Sequence, residues 1–232
     1  VTAAPGYPEL AVKNLAELTG IDFKNSEDLI AATSDCGAYM TLSSAIKGLA
    51  VKMTKVCNDI RLLASGPRCG LKEINLPQLQ PGSSIMPGKV NPVAAEVANQ
   101  ASFLAIGLDT TVMLAASAGQ LELNVMEPVI TYALYTQMKV MTNACDTLRT
   151  KLVEGVTANT ERCKDYVMNS IGIVTLLKPH FGYQKCAAIA KEGYTTGKSL
   201  HQIVVDEQHL MTQAEWDATF NTQNLIHPKF VK

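Results

Sequence analysis

Charge and aromatic surface are both scarce in this chain. Only 18% of its 232 residues are charged and 6% are aromatic, with a single tryptophan. A net charge of −1 and a pI of about 6.5 exclude the basic surface that nucleic acid or an anionic membrane would demand. The four histidines, at 180, 201, 209 and 227, form no His-x-x-x-His pair. The six cysteines (Cys36, Cys57, Cys69, Cys145, Cys163 and Cys186) form no Cys-x-x-Cys pair and no zinc spacing. Each thiol is therefore expected to be buried or idle in a reducing cytoplasm, and no metal or cofactor is expected. No secretory leader is read, and the most apolar run, Phe103 to Ala118, is broken by Asp109, so no segment is expected to span a membrane. The chain opens on Val1 and a loop-like Ala-Ala-Pro-Gly-Tyr-Pro, as expected of a piece of something longer.

What is abundant is small and medium aliphatic surface, within a hydrophobic fraction of 47%. Leu42, Ile46, Leu49, Met53, Val56, Ile60 and Leu63 recur at alternating steps of four and three, a stripe that predicts one long helix packed lengthwise against others. It should begin near Asp35 and stop at Ser65-Gly66-Pro67. A second helix is expected from Pro92 to about Ser117, with Val93, Val97, Ala101, Leu104 and Leu108 inward. A third should start near Glu127-Pro128, with Ile130, Leu134, Met138, Met141, Cys145, Leu148 and Leu152 inward. Nothing alternates with the period of a strand. The fold class is all-α: a long-helix bundle over residues 1–155, followed by a small helical domain over 156–232.

In that second region the helices shorten, and Gly172, Pro179, Gly182, Gly193 and Gly197 punctuate the chain. Thr160-Glu161-Arg162 and Thr212-Gln213-Ala214-Glu215 read as helix starts, the latter as a capping box. Gly197-Lys198-Ser199 resembles the end of a phosphate-binding loop, but Glu192 stands where that motif needs glycine, so the segment reads as a turn.

Between the first two long helices lies Pro81-Gly82-Ser83-Ser84-Ile85-Met86-Pro87-Gly88-Lys89-Val90-Asn91-Pro92. Three prolines and two glycines in twelve residues cannot continue a helix. As a mere linker, the run would end with Asn91 as N-cap and Pro92 as the first helical residue. As a site, it would offer two hydroxyls, one ammonium and one amide on a loop able to bend around a small anion. Deprotonating carbon beside a carboxylate leaves a dianion, so a catalyst must hold that extra charge more strongly than it holds substrate. Lys89, Asn91 and backbone N–H groups around Gly82 to Ile85 and Gly88 could supply that field. Either Ser83 or Ser84 could then act as a base, provided the same donors stabilise its alkoxide. Residue chemistry alone leaves linker and site open.

A resemblance decides between them. The run matches all eight fixed positions of Gly-Ser-Ser-x-Met-Pro-x-Lys-x-Asn-Pro, and so resembles the signature loop of the aspartase/fumarase superfamily. Glu73-Ile74-Asn75-Leu76-Pro77, Gly119 to Pro128 and Asn169 to Thr175 extend the similarity, which runs from Pro8 to Pro228. Within the superfamily the chain is most similar to the aspartate ammonia-lyases. The Glu-Leu-Asn-Val core is shared with class II fumarases, which typically carry Phe-Lys-Pro in place of Met126-Glu127-Pro128, while Lys178 to Tyr183 looks fumarase-like. The resemblance implies a lyase converting L-aspartate reversibly to fumarate and ammonia. Ser83 would abstract the C3 proton, Ser84, Met86, Lys89 and Asn91 would contact the dicarboxylate, and Gly82 and Gly88 would be loop hinges. Glu96 is first of all an acidic residue at a helix N-terminus. A malate-fumarate hydratase and a non-catalytic crystallin-like relative are the alternatives. The resemblance also implies a cytoplasmic homotetramer whose further substrate-binding residues come from an N-terminal half not found in this sequence, leaving this chain inactive by itself.

Overall fold

The computed structural model describes residues 3–227, so Pro228 at the end of the resemblance lies outside the described residues. Helix α1 covers Tyr7–Thr19 and the single turn α2 covers Ala31–Ser34. Three long helices follow as expected: α3 (Gly37–Leu63), α4 (Val93–Ser117) and α5 (Glu127–Lys151). Shorter α-helices follow among the described residues: α6 (Thr160–Met168), α7 (Lys178–Thr196), α8 (Gln213–Thr219) and α9 (Thr222–Ile226). Among the described residues the architecture is all-α apart from a two-residue antiparallel ladder, in which β1 (Ile74–Asn75) pairs with β2 (Thr157–Ala158), and an isolated bridge between Gln120 and Leu123.

Local chemistry sets the helix limits. The Asp35 carboxylate accepts the Gly37 N–H (3.0 Å) where α3 begins. That helix ends just ahead of Ser65-Gly66-Pro67, where Gly66 takes a φ of 141°. Pro128 sits in the first turn of α5, where a missing N–H costs nothing.

The inward faces differ from the sequence reading. On α3 the buried residues are Ser43, Ala50, Met53 and Cys57, whereas Leu42, Leu49 and Val56 lie about half exposed (45%, 48% and 51%). On α4 the buried line is Ala94, Ala95, Ala98, Ser102, Ala105 and Val112, and the larger Val97 and Leu104 face outward. On α5 Ile130, Leu134 and Met141 are buried as expected, as is Leu152 just past its end, but Cys145 is exposed and Ala133, Gln137 and Ala144 are buried in addition. Small side chains face the neighbouring helix because they let two helix axes approach closely. An apolar stripe read from sequence favours the bulkier residues, and here these lie beside the true contact line.

Buried polar groups fix the register of this packing. Asp109 of α4, 8% exposed, accepts hydrogen bonds from Ser43 (2.8 Å) and Ser44 (3.4 Å) and pairs with the Lys47 ammonium, all on α3. Gln137 of α5 donates to the Ala105 carbonyl of α4 at 2.9 Å. Asn124 caps the end of α4 by donating to the Ala115 and Ala116 carbonyls, both at 3.1 Å, and it accepts the Met126 N–H at 2.8 Å. By length and composition α4 could cross a membrane. In this fold it is the middle helix of three, with Asn99, Ser102 and Asp109 buried.

The chain forms two compact units. The first comprises residues up to Ala64 together with Leu76–Val156, and the second comprises Ser65–Asn75 together with residues from Thr157 onward. A boundary at 155/156 therefore needs amending, because Ser65–Asn75 joins the second unit through the β1–β2 ladder. The second unit has its own core, including Leu177, Ile189, Ile203, Val204 and Trp216. There Thr212 and Glu215 form the expected capping box, and Gly197 ends α7 at a φ of 72° as a turn.

Burial pushes the Asp109 carboxyl up, but the bonds from Lys47 and Ser43 outweigh that effect and hold it below the ordinary carboxylate range. A depressed folded-state value means that its stabilisation is present above the unfolded value, about 3.9, and is lost as pH falls through the folded one. Asp109→Asn should destabilise the chain by about 1–3 kcal/mol at neutral pH and flatten the acid limb of its stability profile, as urea denaturation at several pH values will show.

Candidate active site

The signature run folds as a closed loop ahead of α4. The Gly82 N–H donates to the Lys89 carbonyl (2.9 Å), the Asn91 side-chain amide donates to the Gly82 carbonyl (2.7 Å), and the Lys89 N–H donates to the Met86 carbonyl (3.3 Å). A Cβ at Gly82 would lie 2.0 Å from the Lys89 carbonyl oxygen, so only glycine admits this approach. Gly88 takes a φ of +78°, the left-handed conformation that reverses the chain before Lys89.

This closure shapes the environment of Ser83. Its Oγ accepts the backbone N–H groups of both Ile85 and Met86, each at 3.1 Å. Two amide dipoles aimed at one oxygen favour negative charge on it. The hydroxyl is half-buried, whereas Ser84 is exposed. A cavity of about 380 Å³ is lined by Gly82, Ser83, Met86, Gly88 and Lys89 among others. The Lys89 ammonium is exposed and makes no ion pair among the described residues.

The structure thus gathers five of the seven expected residues around one cavity. Ser84 and Asn91 are not among its lining residues, and one N–H of Asn91 is committed to bracing the loop. Glu96 is half-buried in the first turn of α4, where a carboxylate suits the positive helix end. Sequence reasoning missed Gln78 and Gln80, two amides that line the same cavity. It also did not foresee the turn at Ser83, although serine hydroxyls commonly bond to amides two and three residues on.

The arrangement is suited to proton transfer beside an anion: an oxygen on which two amides would stabilise negative charge, a cation without an ion pair among the described residues, and backbone donors held in place. Comparison with known proteins places this loop in context. A family model described as lyase matches residues 1–107, and one described as the C-terminus of fumarase C matches residues 173–227. Aspartate ammonia-lyase of Escherichia coli is 57% identical over 224 residues, covering 97% of this chain and 47% of that protein. The enzyme of the same name from Helicobacter pylori is 51% identical, covering 100% and 49%. Among solved structures, a fumarate lyase:delta crystallin from Brucella melitensis bound to cobalt superposes with a TM-score of 0.89 at 41% identity, over 94% of this chain and 47% of that one. A class II fumarase from Schistosoma mansoni gives 0.88 at 31% identity, over 98% and 50%. The chain belongs to the aspartase/fumarase superfamily of lyases. Within that superfamily its similarity to aspartate ammonia-lyases extends over almost all of its residues, and it spans about half the length of the curated relatives it matches.

Gly82→Ala tests the closure directly. The forced separation from Lys89 should raise amide hydrogen exchange across residues 82–89 at least about tenfold, a loss of some 1.4 kcal/mol of local stability, with little change in the global melting midpoint.

Proposed function

We propose that this chain carries the catalytic loop of an aspartate ammonia-lyase, interconverting L-aspartate with fumarate and ammonia. The observation that carries the reading is the Ser83 Oγ held by two backbone amides inside a motif matched at every fixed position. Ser83 as alkoxide takes the C3 proton. The electron pair left on C3 passes into the adjacent carboxylate as an aci-carboxylate dianion, which Lys89 and the remaining N–H of Asn91 stabilise. Collapse of that dianion forms the double bond and expels ammonia from C2. Met86 forms part of the pocket wall, Ser84 adds a further hydroxyl at the dicarboxylate, and Gly82 and Gly88 flank the segment that would move on closure.

The proposed activity is that of the assembled enzyme, with the remaining half of the relatives' length supplying further substrate contacts. Exposed apolar residues on the long helices, among them Leu42, Leu49, Val56 and Leu104, support assembly with other copies, for which we propose a homotetramer. The six free thiols, two of them exposed, suit a reducing cytoplasm.

Fumarate hydration is the second reading, favoured by the fumarase C model over residues 173–227 and by the Schistosoma mansoni structure. Co-expression with the N-terminal half of the Escherichia coli relative, followed by fumarate absorbance with aspartate or malate, separates the two. We expect turnover of aspartate, and a loss of about 10²–10⁴-fold in kcat for Ser83→Ala with KM little altered. An unimpaired Ser83→Ala enzyme removes the assigned base, turnover of malate alone selects the hydratase, and silence with both leaves a non-catalytic relative. Leu49→Glu should lower the molar mass measured by light scattering, since it places a charge on the stripe assigned to the subunit interface.

A further inference from the structure

The second unit contains a cationic recess that the lyase chemistry does not use. A cavity of about 680 Å³ lies between the Ser65–Lys72 segment and the start of α6, with Arg68, Lys72 and Arg162 on its wall against a single carboxylate, Glu161. It shares no lining residue with the cavity at Ser83. Such clustering of like charge is unfavourable unless the field has a counter-ion to meet. None of the three cations forms an ion pair among the described residues. Arg162 spends only its Nε, on the Leu71 carbonyl at 3.4 Å, and its guanidinium lies 4.5 Å over the Tyr166 ring. Its terminal nitrogens have no hydrogen-bond partner among the described residues.

A separate observation concerns the backbone at the same place. The first intrahelical bond of α6 runs from the Cys163 N–H to the Asn159 carbonyl (2.9 Å), leaving the N–H groups of Thr160, Glu161 and Arg162 without acceptors among the described residues. Asn159 is the N-cap, yet its side chain caps nothing. It donates instead to the Lys72 carbonyl at 2.8 Å and accepts from the Asn75 amide at 2.6 Å. The usual occupant of an anion position at a helix start is thus diverted to clamping the opposite wall.

That wall is rigid. The Lys72 N–H and the Leu71 N–H both bond Ser65, at its carbonyl (2.8 Å) and its Oγ (3.1 Å). A Cβ on Gly70 would lie 2.4 Å from the Ser65 carbonyl carbon. Lys72 itself is held at a φ of 53°, a conformation rare for lysine. Three cations therefore share one recess with the first-turn amides of α6.

We propose that this recess binds a small multivalent anion, through charge-assisted bonds from Arg68, Lys72 and Arg162 and the first-turn amides of α6. Phosphate and dicarboxylate share the required chemistry, and the volume suits a small metabolite. The proposal stands independently of the reaction assigned to Ser83.

The test is titration of the 232-residue chain with inorganic phosphate and, separately, with fumarate, at ionic strength held constant by chloride. Calorimetry gives the affinity, and amide resonances of Thr160, Glu161 and Arg162 report the location. We expect saturable binding of at least one anion with shifts at those amides. Arg68→Gln and Arg162→Gln should each weaken binding by about tenfold or more, while Lys139→Gln, a surface charge removed elsewhere, should leave it unchanged. If Arg162→Gln disturbs α6, Lys72→Gln serves in its place. Phosphate alone or fumarate alone assigns the class. Absence of shifts at all three amides with both anions, or equal affinity in the arginine variants and Lys139→Gln, overturns the proposal.

Discussion

One backbone contact organises the signature loop: the Gly82 amide meeting the Lys89 carbonyl, reinforced by the Asn91 side chain on the Gly82 carbonyl. The chain must return on itself within eight residues, which requires a glycine with no Cβ at one end and a left-handed glycine at Gly88. Within the closed loop the Ile85 and Met86 amides donate to the Ser83 oxygen. A substitution that opens this clasp therefore shifts the serine relative to Lys89 even if the serine itself is untouched. Motif positions with no reactive side chain are in this sense as chemical as Ser83 and Lys89.

The long helices give that loop a fixed base. Helix α4 starts immediately after Asn91-Pro92, so any rotation of α4 would carry the loop with it. Its rotation is set against α3 by Asp109 and against α5 by Gln137, and its far end is tied by Asn124 to the segment leading into α5. Polar groups buried between helices have few alternative partners, so a slip of one residue would leave each unsatisfied. Alanine and serine at the contact line permit the close approach that these short side chains need in order to reach across.

The sequence disclosed the parts of this structure that depend on local rules. Ser65-Gly66-Pro67 ended α3, Pro128 marked the start of α5, and Thr212-x-x-Glu215 was a capping box, because turn and cap chemistry acts over four residues or fewer. The loop was legible through its motif, and its spacing carried Ser83, Met86 and Lys89 to one cavity. Which face of each long helix lies inward was not legible. Leu42, Leu49 and Val56 form as good an apolar stripe as any, and only the pairing of three particular helices shows that Ala50 and Cys57 occupy the contact. The transfer of Ser65–Asn75 to the second unit was hidden for the same reason: two residues of ladder pairing, some eighty positions apart, leave no periodic trace.

On the proposed mechanism two negative charges form in succession, and the structure serves them with different devices. The alkoxide on Ser83 must exist before substrate reacts, and it is met by amides already in place, so its stabilisation needs no rearrangement at the moment of reaction. The second charge, on the aci-carboxylate, appears only in the transition state and beyond. A cation held in a protein ion pair beforehand would have to break that pair first, at a cost that raises the barrier. Lys89 is left uncommitted on the exposed side of the loop, available to a charge that arrives with the substrate. Fixed dipoles for the standing charge and a free ammonium for the transient one follow from a single loop sequence, because the same turn that fills the serine's valences leaves the lysine's empty.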